Sequence, residues 1–315
     1  MNKLISVIVP TYNCQDFVTE GLDSIMNQLP ENCELVVVDD GSTDNTAKKL
    51  AKYEKNNQNE KLKIIYAQHS GVSGGRNIGL DNASGEYVTF MDCDDCLQSD
   101  FFEKTLPLVE KKAELYIFGI ERIPLEGENE VWSVKDNFYK TLSSFADTYI
   151  RERNLLIYSN CNKFYRRSII EKNNIRFEDG LSFGEDRLMN FAYLTALNLE
   201  ENFNGIITSS ILQLRYLQRS TDSQSSKHVP NYFNLALRLH KEKLNCFLQL
   251  SKGTTEEERK YFVSSNISSE IKMAADRFID HPEEILEYLN EMNKIVFGGP
   301  FDWNEQVDVL IVLGS

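Results

Sequence analysis

Asp92-Cys93-Asp94-Asp95 sets three carboxylates within four positions, directly after the apolar run Tyr87 to Met91. Carboxylates placed this way repel one another unless a cation or hydrogen-bond donors neutralise them. A hard divalent cation does this well. Mg²⁺ or Mn²⁺ takes oxygen ligands, commonly one or two carboxylates, and completes its shell with water and phosphate oxygens. The plainer alternative is a solvated acidic turn. Cys93 and Cys96 also spell a CxxC, which suggests redox or zinc chemistry. No second pair completes a zinc site, and the neighbouring Asp94 and Asp95 raise a thiol pKa, the reverse of what activates a cysteine.

Other polar clusters also follow apolar runs. Pro10-Thr11-Tyr12-Asn13 follows Leu4 to Val9, Asp39-Asp40-Gly41-Ser42 follows Leu35 to Val38, and Ser70 to Arg76 lies beyond Leu62 to Tyr66. These runs are rich in Val, Ile and aromatic residues, as buried parallel strands are. Between them Phe17, Leu22, Ile25 and Met26, then Ala47, Leu50 and Ala51, then the stretch Ser73 to Ala83 have helical spacing. Strand and helix taking turns predicts an α/β fold: βαβ units, a mostly parallel Rossmann-like sheet flanked by helices, and ligands collected at the carboxyl ends of the strands. Chain-distant clusters then converge on one rim. Taken singly, Pro10 to Asn13 can be a turn, and Asp40 to Asp44 suits the N-cap of a helix over Thr46 to Leu50. Arg76 faces the same rim, where a guanidinium suits a diphosphate.

A dinucleotide site needs a Gly-rich turn directly after the first strand, and Pro10-Thr11-Tyr12 supplies none. Gly71, Gly74, Gly75 and Gly79 follow a later strand with the wrong spacing and read as a tight turn into a helix.

Beyond Asp100 the pattern predicts a helix over Phe101 to Glu110, a strand over Leu115 to Gly119, a loop over Pro124 to Glu130 and a helix over Ser143 to Arg153. Phe183-Gly184-Glu185-Asp186 then precedes a helix from Arg187 to Leu197. From Pro230 to Phe297 the pattern is mainly helical and amphipathic. The polar run Ser220 to Pro230 places a boundary there. It divides the chain into residues 1–222, with halves 1–100 and 101–222, and a mainly helical region 223–315.

Lys and Arg number 34 against 48 Asp and Glu, a net charge of −14, so the average field repels phosphate backbones and excludes nucleic acid as a natural partner. The six scattered cysteines and the absence of a signal-peptide start point to reduced thiols in the cytoplasm. No apolar segment reaches the ~20 residues of a membrane span, which leaves at most peripheral contact with the inner face of a membrane.

ISVIVPTYN, ELVVVDDGSTDNT, GVSGGRNIGLDNASGEYVTFMDCDD and FGEDRLMN together resemble the family 2 inverting glycosyltransferases of GT-A fold. The resemblance runs from the start of the chain to about Ser220 and implies that 1–100 is a nucleotide-sugar half and 101–222 an acceptor half. It implies that Pro10 and Tyr12 frame a uracil-type base, that Asp40 bonds the imide edge of that base and that Asp39 supports the loop. It further implies that Asp92 contacts ribose or sugar and that Asp94 holds the divalent metal bridging the diphosphate. Glu185-Asp186 matches the family's ED pair, whose Asp is the catalytic base. Asn162 to Arg167 resembles the stretch before that pair, and Tyr216 to Arg219 with Ser223 resembles a YxQR-and-Ser segment after it. Leu217 stands where the family commonly has a basic residue, and Gly75-Arg76 where it often has Ala-Arg.

The chemistry so implied is displacement at the anomeric carbon of a nucleotide-diphosphate sugar, with Asp186 taking the proton of a saccharide or lipid-linked saccharide acceptor, in cell-surface polysaccharide or lipopolysaccharide synthesis. Without the other motifs, Glu185-Asp186 reads equally as acidic residues at a helix's positive N-terminus. A nucleotidyltransferase shares strand-end carboxylates and metal, but would carry a Gly-rich basic loop after the first strand. A catalytically silent sugar-nucleotide-binding module is the remaining alternative.

Overall fold

The computed structural model describes residues 3–150, 155–181, 183–219, 232–251 and 255. The first third alternates as the apolar runs predict: β1 (Ile5–Thr11), α1 (Val18–Met26), β2 (Cys33–Asp39), α2 (Thr46–Asn56), β3 (Leu62–Tyr66), α3 (Gly71–Asn82) and β4 (Tyr87–Phe90). Next come β5 (Cys96–Leu97), α4 (Phe101–Val109), β6 (Leu115–Ile123), β7 (Glu130–Trp132), β8 (Asn137–Tyr139) and α5 (Leu142–Phe145). The chain continues through β9 (Lys163–Arg166), α6 (Arg167–Lys172), α7 (Glu185–Leu197), β10 (Ile206–Leu217) and α8 (Tyr232–Leu250). The helix expected over Ser143 to Arg153 is realised as α5 running into a π-helical turn, Ala146–Ile150; its last residues lie outside the described ones.

The sheet runs β3-β2-β1-β4-β9-β6-β10-β5. β1 lies parallel to β2 and β4, β2 to β3, and β6 to β10. β9 is antiparallel to both β4 and β6, so one reversed strand joins two blocks that point the same way. The carboxyl ends of β1, β2, β4, β6 and β10 therefore share one edge. β1 and β2 are buried at every position, as strands covered on both faces must be.

Side chains along these strands alternate between two cores. Ile8, Val36, Val38 and Phe90 pack on one face with Leu80 of α3, Phe191 and Leu194 of α7, and Phe247 and Leu250 of α8. Val7, Val9, Leu35 and Val37 pack on the other with Leu22 of α1, Leu50 of α2 and Phe101 of α4. The boundary expected at Ser220 to Pro230 lies outside the described residues, but α8 beyond it is helical and joins the first core.

The glycines read as a turn before a helix instead lie within α3, where they let it approach β1. A Cβ on Gly75 would come within 3.2 Å of Pro10 Cβ, and one on Gly79 within 2.2 Å of Ile8 Cγ2. Ile8 is fully buried and has no room to yield. Overpacking of this kind costs ~1–3 kcal/mol, more than the ~0.5–1 kcal/mol that alanine gains over glycine inside a helix. Gly79→Ala should therefore lower the urea-unfolding free energy despite its better helix propensity; an increase would mean that α3 does not ride this closely on β1.

Candidate active site

Arg76 lies on the sheet-facing side of α3, 3% exposed, with its guanidinium 5.2 Å from the centre of the Phe177 ring. Nη1 donates to Asp186 Oδ1 at 2.7 Å and to Glu185 Oε1 at 3.1 Å, and Nη2 donates to Asp92 Oδ1 at 3.0 Å. Three elements thus meet: α3, the turn after β4 and the first turn of α7. Burial works against the Arg76 charge, but the carboxylates of Asp186 and Asp92 chiefly, with Glu185, hold it protonated. Arg76 thus faces the rim of the strand ends paired to carboxylates of the protein itself. A guanidinium taken out of water needs counter-charge from its own fold, and these carboxylates provide it.

α7 starts with Gly184 at its N-cap position, in left-handed backbone (φ +84°) and without a side-chain cap. A Cβ on Gly184 would lie 2.6 Å from Leu239 of α8, so α8 packs directly over this turn. Asp186 does not cap the helix; it faces Arg76. Loss of hydration raises its pKa to about 7, against the pull of Arg76 and with the help of Glu185 and Asp92. Behind it, Asn190 Nδ2 donates to the Asp186 carbonyl at 2.8 Å while Asn190 Oδ1 accepts from the Tyr165 hydroxyl at 2.8 Å, tying α7 to β9. Lys163 of the same strand is fully buried and donates to the carbonyls of Leu156 (2.6 Å) and Ser159 and to Asn162 Oδ1 (2.8 Å). Burial lowers its pKa to about 7.

In the acidic cluster the carboxylates have separate tasks. Asp92 is bound to Arg76. Asp95 is buried and accepts from Leu217 N at 3.0 Å, which fastens the end of β10. Burial first, then Asp92, raises the Asp94 pKa; burial, Asp92 and Asp94 raise that of Asp95 well above the usual range. Arg219 donates to the Asp94 carbonyl at 3.2 Å, pairs with Glu20 at 2.9 Å and lies over the Phe17 ring. Ser223 lies outside the described residues. Among the described residues no three His, Cys, Asp or Glu side chains converge as a metal cage. Asp92 and Asp94 are nevertheless hard oxygen donors whose mutual repulsion a divalent cation would relieve, a donor set that fits Mg²⁺ or Mn²⁺ with its other ligands from substrate. Cys93 and Cys96 are free thiols; the Cys14 contact and burial raise the first, and burial raises the second to about 11.

At the far end of the rim, Pro10 is buried in β1 and Tyr12 is 43% exposed just beyond it. Asp39 accepts from the Ser42 hydroxyl, which in turn accepts from Asn13 N at 3.0 Å, linking the end of β2 to the turn after β1. The cap before α2 comes from Asp44, whose Oδ1 accepts from Thr46 N at 2.8 Å. The Asp40 side chain is already engaged by the protein. Its Oδ1 accepts from Ser70 N (2.7 Å) and Oγ (3.0 Å), and its Oδ2 from Gly71 N (2.8 Å); His69 Nδ1 stands 2.8 Å from Oδ2 and is hydrogen-bonded to the Asp40 main-chain carbonyl at 3.1 Å. The physical reason is the start of α3, whose unpaired N–H groups face the end of β2 and attract an anion. His69 itself stacks on Tyr12, ring centres 4.1 Å apart and planes 22° from parallel. Sequence reading missed His69, Phe177 and Asn190, because partners so far apart in the chain leave no local pattern.

The profile of "Glycosyl transferase family 2" matches residues 6–173, more than half of the chain. The chain belongs to this family. Among curated proteins this family 2 member is similar to glycosyltransferase GlyA of Streptococcus pneumoniae, 33% identical over 59% of this chain and 27% of GlyA. It is 29% identical to the minor teichoic acid biosynthesis protein GgaB of Bacillus subtilis over 79% of this chain and 28% of GgaB. The chain thus spans less than a third of either relative's length. Among solved structures, Staphylococcus aureus TarS 1–349 in complex with UDP-GlcNAc superposes with a TM-score of 0.70 at 23% identity, covering 93% of this chain and 81% of that one, and shares its GT-A fold.

Asp186 gives the site a pH signature. A carboxyl whose folded pKa is raised to about 7 holds its proton more tightly folded than unfolded. The resulting stability is complete below the unfolded value of about 4 and is lost as pH rises through the folded one. Asp186→Asn cannot ionise, so its unfolding free energy relative to wild type should climb between about pH 4 and 7, by ~1–3 kcal/mol. A fall over that window would show instead that the Arg76 pair keeps Asp186 ionised.

Proposed function

We propose that this chain transfers a sugar from a nucleotide-diphosphate sugar, preferentially a UDP-sugar, to an acceptor hydroxyl with inversion at the anomeric carbon. The observation that carries the reading is the convergence on Arg76 of Asp92, at the end of a nucleotide-half strand, with Asp186, at the start of an acceptor-half helix. Asp186 takes the acceptor proton as the hydroxyl attacks. With its pKa raised to about 7 it is basic enough to accept that proton near neutral pH, where general bases work best. Arg76 fixes the carboxylate's direction and remains paired to Asp92 and Glu185 once Asp186 is protonated. In-line attack opposite the diphosphate turns an α-linked donor into a β-linked product.

Pro10 and Tyr12 border the base, with Asp40 at its polar edge and Asp39 bracing the loop. Asp94, with Asp92 assisting, would hold Mg²⁺ or Mn²⁺, which supplies Lewis-acid neutralisation of the departing diphosphate when bound. The relatives' names support a cell-surface polymer as acceptor: GgaB is named for minor teichoic acid biosynthesis. TarS of Staphylococcus aureus, 33% identical over 61% of this chain, is named as a poly(ribitol-phosphate) beta-N-acetylglucosaminyltransferase. The acceptor class is then a saccharide, free or lipid-linked, or a polyol-phosphate polymer, met in the cytoplasm at the inner membrane face. No helix among the described residues is long and apolar enough to cross a membrane.

Asp186→Asn should bind the donor with near-normal affinity yet lose on the order of 10²–10⁴ in turnover, the span typical of a general base. Wild-type turnover in that variant would remove Asp186 from the role and make Glu185 the next residue to substitute. Chelation should abolish turnover reversibly, with Mn²⁺ or Mg²⁺ restoring it in wild type but not in Asp94→Ala; full activity of either protein in chelator would eliminate the metal.

A further inference from the structure

His69 already makes, within the protein, the contacts that a pyrimidine base would make at this site. Its ring lies flat on Tyr12 at 4.1 Å, a separation that leaves no room for a second ring between them. Its Nδ1 is hydrogen-bonded to the Asp40 main-chain carbonyl at 3.1 Å and lies 2.8 Å from Asp40 Oδ2. Neither oxygen has a proton to give, so that nitrogen carries the proton and donates. Stacking on Tyr12 and donation to Asp40 are the two interactions assigned above to the base and its imide N–H.

The protein leaves the Asp40 carboxylate no open approach. Of its about four lone-pair sites, Ser70 N and Ser70 Oγ take those of Oδ1 and Gly71 N takes one of Oδ2, while His69 Nδ1 stands 2.8 Å from Oδ2 over the side that remains. A base can therefore bond Asp40 only by displacing one of these donors. Ser70 and Gly71 are fixed where the chain enters α3. The His69 side chain is the partner free to leave: it is 52% exposed and sits in the connection between β3 and α3, where rotation about its own side-chain bonds releases both contacts together.

We propose that the His69 imidazole is an internal stand-in for the nucleobase, seated on Tyr12 and Asp40 in the free protein and expelled when the nucleotide binds. The proposal rests on the reading of Tyr12 and Asp40 as the base site. His69 then sets the selectivity and strength of donor binding without being a donor contact. The apparent dissociation constant is the intrinsic one divided by the fraction of molecules in which the seat is open. A seat closed nine-tenths of the time weakens binding by about 10-fold.

Titration calorimetry of UDP into wild type, His69→Ala and Tyr12→Ala tests this. His69→Ala should bind UDP about 10-fold more tightly, and Tyr12→Ala more weakly than wild type. In histidine ring-proton spectra the His69 signal, assigned among the chain's four histidines by its loss in His69→Ala, should leave the Tyr12 ring-current position as UDP is added. If Tyr12→Ala weakens UDP but His69→Ala binds it equally or less well, His69 is a contact or a bystander and the stand-in is refuted while the base site survives. If UDP binding ignores Tyr12→Ala, or UDP does not bind wild type, the base site itself is wrong and the stand-in falls with it.

Discussion

A guanidinium buried to 3% exposure must find counter-charge within its own fold, and Arg76 finds it on two segments far apart in the chain. Asp92 comes from the turn after β4, Glu185 and Asp186 from the first turn of α7, and the arginine from α3 between them in space. Breaking one partner of such a buried group costs ~3–5 kcal/mol, because the other charges stay behind uncompensated. The same pairing makes a site out of two half-domains. It turns the Asp186 carboxylate toward the strand ends while hydration, lost on burial, keeps that carboxylate basic.

The remainder of the architecture can be read as what this ion cluster requires. α3 must lie close enough to β1 for Arg76 to reach over the strand ends, hence the absence of side chains at Gly75 and Gly79. α7 must begin abruptly, hence left-handed Gly184 beneath Leu239. β9 runs against its neighbours, and this reversal returns the chain so that Tyr165, through Asn190, steadies α7. Lys163 in the same strand ties down the preceding loop through main-chain carbonyls. The stretch Asn162 to Arg167, which carries no reacting group, is thus the support from which Asp186 is held.

Much of this was legible before any coordinates. β3 has the limits its apolar run predicts, and β1, β2 and β4 depart from theirs by no more than a few residues, since buried parallel strands are written as continuous Val, Ile and aromatic stretches. The short strands β5, β7 and β8 were not legible: two or three residues carry no period, and they exist because an edge of β6 or β10 is there to pair with. Candidate site residues were legible by type and location, because strand ends in an α/β sheet collect them. Their partners were not. Residue type marks Asp40 and Arg76 as ligand-binding groups, whereas the first obligation of each is to a neighbour: Asp40 to the bare start of α3, Arg76 to its carboxylates. No spacing in the chain announces a contact between residues 110 positions apart.

The charge balance of the rim sets the terms on which an anionic donor can enter. Asp92, Asp94, Asp95, Glu185 and Asp186 face Arg76 and Arg219, in a chain whose net charge is already −14. A diphosphate brought to that edge adds negative charge to negative charge. The fold answers in kind: burial first, and then the neighbouring carboxylates, raise the pKa values of Asp94, Asp95 and Asp186, so each holds a proton more tightly here than in water. The two arginines are already committed to protein partners, Arg76 to carboxylates and Arg219 to Glu20 and the Asp94 carbonyl. What would balance the diphosphate is therefore a cation arriving with it, and the Asp92 and Asp94 pair is where the proposed Mg²⁺ or Mn²⁺ gains most, since each carboxylate there repels the other. The proposed cation and sugar nucleotide would then bind as one unit, each supplying the charge that lets the other approach.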